Sequence, residues 1–158
     1  MQWLLLAGLI VVCQVVGRLG GHWTGPEISR WYRTLAKPSF NPPRWVFAPA
    51  WTALYLLMAV AAWFVFNAPP SPFRTLGLSL FLVQLALDLA WSWIFFRRHA
   101  IGAAAIEVAL LWCCIAATTV AFSRVSTAAV LLMAPYGVWV TFASVLNATI
   151  WRLNPTHG

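Results

Sequence analysis

"KPSFNPPRWVFAPAWTALYLLMAVAAWFVF", Lys37 to Phe66, changes character midway. Prolines 38, 42 and 43 crowd its first part, and from Trp45 to Phe66 there is no charged residue. Each proline pushes the residue before it out of helical space, so a helix can start only after Pro43. An apolar run of about 20 residues is then long enough to cross a bilayer as a helix. The start of this run carries Trp45, Trp51 and Tyr55 behind the rigid prolines. Anchoring at an interface needs one or two such aromatics. A lid and wall for a flat ligand would use them all.

The rest of the chain repeats the apolar pattern. Of its 158 residues, 62% are hydrophobic and 8% charged, with mean hydropathy +0.80. Soluble domains carry roughly 25% charged residues, so this chain cannot cover a water-facing surface. Five runs, about 2–20, 45–66, 73–96, 100–122 and 127–151, are read as spans of one all-α membrane domain over 1–158. Uninterrupted apolarity excludes a β-barrel, whose strands alternate over about ten residues. The first run lacks a basic segment before "WLLLAGLIVV" and a small-residue cleavage site, so it is kept as a helix.

The connections "NAPPSP" (67–72), "RRHA" (97–100) and "SRVST" (123–127) are short and make neighbouring helices antiparallel. The stretch 21–44 is long, with Pro26 at a first helical position and a short turn within 29–35. It is expected to fold over one end of the bundle as a lid. Arg18, Arg30, Arg33, Lys37, Arg44, Arg97, Arg98 and Arg152 fall at that end, and Arg74 and Arg124 at the other. The positive-inside rule places the N-terminus outside, and the long loop and C-terminus in the cytoplasm, of a bacterial-type cell membrane. Net charge +7 is accounted for by topology and anionic lipid, not nucleic acid.

Counting residues from that end places several unusual side chains at one depth. Trp51, Tyr55 and Met58 share a face of the second helix; Asp88, Trp91, Ser92 and Phe95 share one on the third. Tyr136, Trp139, Ala143 and Asn147 share one on the fifth, beside Pro135, which is expected to kink it. Three aromatic faces under one loop describe a pocket; ordinary packing by large residues is the alternative. Asp88 is the sharpest residue, because a carboxylate deep in a span is costly and usually faces a cavity. With no basic residue near it in sequence it is expected to be unpaired, unless a helix–helix hydrogen bond holds it. Glu107 poses the same question with less context.

Conventional catalysis finds little support. No nucleophile–base set occurs, the histidines (22, 99 and 157) fall in loops or the tail, and no metal site is expected. Cys13, Cys113 and Cys114 read as small packing residues. Small residues at 105, 109, 113, 117 and 121, and at 86 and 90, form stripes that permit close helix contact. A homodimer is expected, with the third helix as its seam.

"WYRTLAKPSFNPPRWVFAPAWTALY", "WSWIFF" and "PYGVWVTFASVLNATIWRLN" resemble the three most characteristic stretches of the TspO/MBR family, whose members are known as translocator protein, peripheral benzodiazepine receptor or tryptophan-rich sensory protein. Their spacing matches too. The resemblance implies five transmembrane helices, usually a homodimer, and one pocket beneath the first loop that binds protoporphyrin IX or haem, with no obligatory cofactor. Carried over by motif, the pocket would take Tyr32 from the loop, Trp51 and Tyr55, Trp91 and Ser92, and Trp139 and Ala143. The reading of faces adds Asp88 and Asn147. Where the family often has Asn, this chain has Asp88. The family's sterol pattern lacks its tyrosine here, with Ala148 in its place, which argues against sterol binding. The function expected is a tetrapyrrole-binding sensor or transporter-like protein. The alternatives are light-dependent porphyrin breakdown through Trp51 and Trp139, or a structural membrane protein that binds partners.

Overall fold

The computed structural model describes residues 2–155. Five helices follow one another: α1 Gln2–Ser29, α2 Arg44–Asn67, α3 Pro72–Ser92, α4 Ile101–Ser123 and α5 Thr127–Leu153. All five are long and apolar enough to cross a membrane. Around the bundle α1 packs on α2, α2 on α5, α5 on α4, α4 on α3, and α3 again on α1. Outward-facing apolar side chains stay bare in this ring: Leu4 is 77% exposed, Leu131 69% and Val138 71%. In water such a belt would be unfavourable; against acyl chains it is the expected surface.

Local chemistry sets the turns. Ser71 and Ser126 accept hydrogen bonds from the backbone N–H of Arg74 and Ala129, capping α3 and α5. Pro72 follows Ser71 at the first helical position, where no N–H is needed. The end of α3 widens into a π-helical turn, Trp93–Arg97, which leads to His99 in the left-handed region at φ 54°. A non-glycine residue there is held by its surroundings. The Trp31 ring stacks on the imidazole at 4.1 Å, and Nε2 meets Glu27 Oε2 at 3.1 Å.

The first helix departs from expectation. It does not stop near residue 20 but continues to Ser29, with His22, Gly25 and Pro26 inside it. Pro26 therefore does not start a helix, and the connecting loop shortens to residues 30–43. Local propensity is overruled by tertiary contacts. Glu27 meets His99, and Ile28 packs against the aromatic cluster at this end of the bundle. Arg18 accordingly lies 11 residues before the end of α1, about 16 Å along the helix axis. It lies within the helix, not at its end. Pro135 sits inside α5, which runs on without interruption. Cys13 is buried, as a packing residue should be, whereas Cys113 is exposed. His157 lies outside the described residues.

The remaining loop is ordered by polar bonds. A 3-10 turn spans Tyr32–Thr34, and the Tyr32 hydroxyl donates to Asn41 Oδ1 at 2.6 Å. Lys37 Nζ donates to the carbonyls of Tyr32 and Leu35, both at 2.7 Å. At the end of α5, Asn154 grips Ala36 through both amide atoms: Ala36 N–H donates to Oδ1 at 3.0 Å, and Nδ2 donates to Ala36 O at 2.9 Å. Tyr32 and Leu35 are buried against Phe95, Phe96, Ile101 and Ile150. The loop is packed as a lid.

Candidate functional site

Beneath the lid lies a cavity of about 840 Å³, within the range of small-molecule sites. Tyr32, Trp51, Tyr55, Asp88, Trp91, Ser92, Trp139, Ala143 and Asn147 all line it. Helical periodicity explains the convergence: each helix turns its aromatic face to the same interior, at the depth that counting from the lid end indicates.

The aromatic rings form a jointed wall. Trp51 meets Trp139 edge-on at 6.3 Å and 82°, and Tyr136 at 6.4 Å. Phe47 and Phe142 extend the wall from Trp139, at 6.2 and 5.8 Å. Across the cavity, Trp91 stacks on Phe95 at 5.3 Å. The indoles of Trp51, Trp91 and Trp139 are half-buried, so each keeps a face free toward the cavity. Such faces favour offset or edge-on packing with a planar ring system.

Polar groups on the wall are mostly committed to the protein. Tyr55 OH donates to Asp88 Oδ2 at 2.7 Å. Asp88 is therefore paired, which corrects the expectation of an unpaired carboxylate: it lines the cavity and also joins α3 to α2. No local signal in the sequence reveals a partner 33 residues away. Asn147 accepts from Trp91 Nε1 at 3.1 Å and donates to Ile101 O at 3.0 Å. Its amide holds α5 to α3 and to the start of α4, and it shapes the site more than it offers bonds to a ligand. Burial pushes the Tyr32 hydroxyl up to about 12, so in the lid it remains a neutral donor. Desolvation lowers the Lys37 ammonium below its usual range, although it stays bonded to carbonyls.

Face counting missed the whole wall contributed by α1. Gln14, Gly17, Gly20, Gly21, Thr24 and Gly25 line the cavity, as does Arg18. The signal was present as glycines spaced by three, four or eight residues, which leave one helix face flat. Gly17 matters most. A Cβ there would sit 2.6 Å from Tyr55 Cδ2, so the Tyr55 ring lies directly against the α1 backbone. Arg44, at the start of α2, also lines the cavity and donates to Ser29 Oγ at 3.2 Å. Two guanidinium groups thus border the chamber.

Relatives share this chain over most of its length. A model of the TspO/MBR family matches residues 9–152. The chain is 44% identical to the tryptophan-rich protein TspO of Chlorobaculum tepidum, over 98% of both chains. It is 37% identical to the tryptophan-rich sensory protein of Cereibacter sphaeroides, covering 98% of this chain and 94% of that one. It is 38% identical to the human translocator protein, covering 89% and 83%. The five-helix bundle, the lidded aromatic cavity and these matches agree: the chain belongs to the TspO/MBR family.

Proposed function

We propose that the cavity binds a tetrapyrrole, protoporphyrin IX or haem, and that the protein senses or moves it within the membrane. The observation that carries this reading is the wall of Trp51, Trp91 and Trp139 around about 840 Å³ beneath a packed lid. A flat, apolar macrocycle gains stacking and burial from such walls. Its propionates would meet the guanidinium groups of Arg18 and Arg44, which give charge-assisted hydrogen bonds to carboxylates. The proposed orientation puts lid and C-terminus in the cytoplasm, because the basic residues gather at that end. The names of relatives, sensory protein and translocator protein, are compatible with either sensing or movement.

The test is a titration of protoporphyrin IX, haem and a sterol into the protein in detergent, read by quenching of tryptophan fluorescence. Saturable quenching by a porphyrin, with none by the sterol, supports the reading. Quenching by the sterol alone would overturn it.

A second reading has its own observation. Trp51 and Trp139, both on the cavity, meet at 6.3 Å, so a light-excited ligand would lie beside two oxidisable indoles. The double variant Trp51→Phe/Trp139→Phe is expected to keep binding within about threefold and to slow loss of the ligand's absorbance under light at least tenfold, where each factor of ten is about 1.4 kcal/mol. Undiminished photolysis in that variant would remove both residues from any such chemistry.

A further inference from the structure

Below the cavity floor, on the side away from the lid, each helix contributes a titratable or polar group and none contributes a cation. Asp88 on α3 accepts from Tyr55 on α2. The Tyr136 hydroxyl on α5 faces the same carboxyl without closing a hydrogen bond on it. Cys13 on α1 lies near enough to Tyr55 to act on it electrostatically. Glu107 on α4 is level with Asp88. Cys114 Sγ donates to Leu80 O at 3.5 Å, which sets the antiparallel register, and eight residues on along α3 meet seven back along α4. Asp88 and Glu107 act on one another electrostatically. Gln84 lies one turn from Asp88 on the same face of α3.

Two features distinguish this layer from ordinary packing. First, both amide atoms of Gln84, both carboxyl oxygens of Glu107 and the hydroxyl of Tyr136 are buried with no hydrogen-bond partner among the described residues. Gln84 and Tyr136 are 0% exposed and Glu107 7%. Polar atoms in an apolar interior acquire partners, and where protein supplies none the partner is water. Second, the ion pair among the described residues is Glu27–His99 at the lid end, so neither Asp88 nor Glu107 has a cation beside it. Of the two, Asp88 receives a hydroxyl donor and Glu107 receives none. An anion without donor or counter-ion inside a membrane is the costlier arrangement.

We propose that Glu107 is a proton-binding site in the membrane interior: it holds an exchangeable proton, within a hydrated layer shared with Gln84, Tyr136 and Asp88. Because Asp88 also lines the cavity, water in this layer gives the proton a route to the cavity floor. The site does not depend on which ligand, if any, the cavity takes.

Infrared spectroscopy of the full chain in lipid bilayers at neutral pH tests the proposal without any ligand. The expected result is a protonated-carboxyl stretch that shifts down in deuterium oxide, disappears in Glu107→Gln and survives in Asp88→Asn. Isotope labelling assigns the band even if a variant fails to fold. The chain has three acidic residues, of which Asp88 is the one aspartate. Carboxyl-labelled glutamate should therefore move the band and labelled aspartate should not; Glu27 is the glutamate paired with His99. Absence of the band in the wild type overturns the proposal. So does a band that moves with labelled aspartate, or one that ignores deuterium oxide.

Discussion

Tyr55 has a ring pressed on Gly17 and a hydroxyl bonded to Asp88. A methyl group at position 17 cannot be accommodated unless that ring moves, and moving it stretches a 2.7 Å bond. Overpacking of this kind costs about 1–3 kcal/mol. Gly17→Ala is expected to lower porphyrin affinity about tenfold, while Gly8→Ala, which meets nothing within 4 Å and lies off the cavity, leaves it unchanged. Fluorescence titration of both variants checks this; equal affinities would mean that the Tyr55 position does not shape the site. Much at this scale was legible in advance. Trp51, Trp91 and Trp139 declare their faces through helical spacing, and nothing but periodicity is needed to bring them together. The partner of Asp88 was not legible, because a hydrogen bond between helices 33 residues apart leaves no pattern in either segment. The α1 wall was missed for a related reason: glycine lines a cavity by what it lacks.

Among the elements, α2 to α5 begin and end within a few residues of where apolar runs and turn residues put them. Serine caps and prolines mark those boundaries chemically. The end of α1 was illegible, since "GGHWTGPEIS" has the composition of a loop and is kept helical by contacts with Trp31's neighbourhood, His99 and the aromatic cluster beneath the lid. Asn147 shows how the helices are tied at this end. One amide bonds the Trp91 indole on α3 and the first carbonyl of α4, leaving Trp91 correctly aimed. Asn147 is itself 2% exposed; Asn147→Ala takes a partner from the buried Ile101 carbonyl, at about 1–3 kcal/mol for a buried unsatisfied group, and less from the half-buried Trp91 indole. The expected outcome is a lower unfolding temperature in detergent. An unchanged melting temperature would show that water replaces the amide without penalty.

For the whole molecule, the bundle, its lid and its cavity follow from five apolar runs and one Pro-rich connection. What one chain leaves uncovered is also informative. Ala86 on α3 and Ala109, Cys113 and Ala117 on α4 are exposed small residues in helical register, a surface that lets a second helix approach closely. We propose a homodimer with its seam on α3. Ala90 is half-buried in its own chain, so Ala86→Leu is the cleaner test, and it should shift the molar mass in light scattering toward one chain. If Ala109→Leu does this instead, the seam runs along α4. The double grip of Asn154 on Ala36 bears on time as much as on structure. The middle of the lid is latched to the first residue after α5 by two bonds that must break together before the chamber can open. Such a latch raises the barrier for arrival and departure alike and leaves the equilibrium between them nearly untouched. Stopped-flow traces of Asn154→Ala should therefore show porphyrin entering and leaving several times faster at almost constant affinity. A molecule latched in this way would hold its ligand through brief changes in supply and respond to sustained ones.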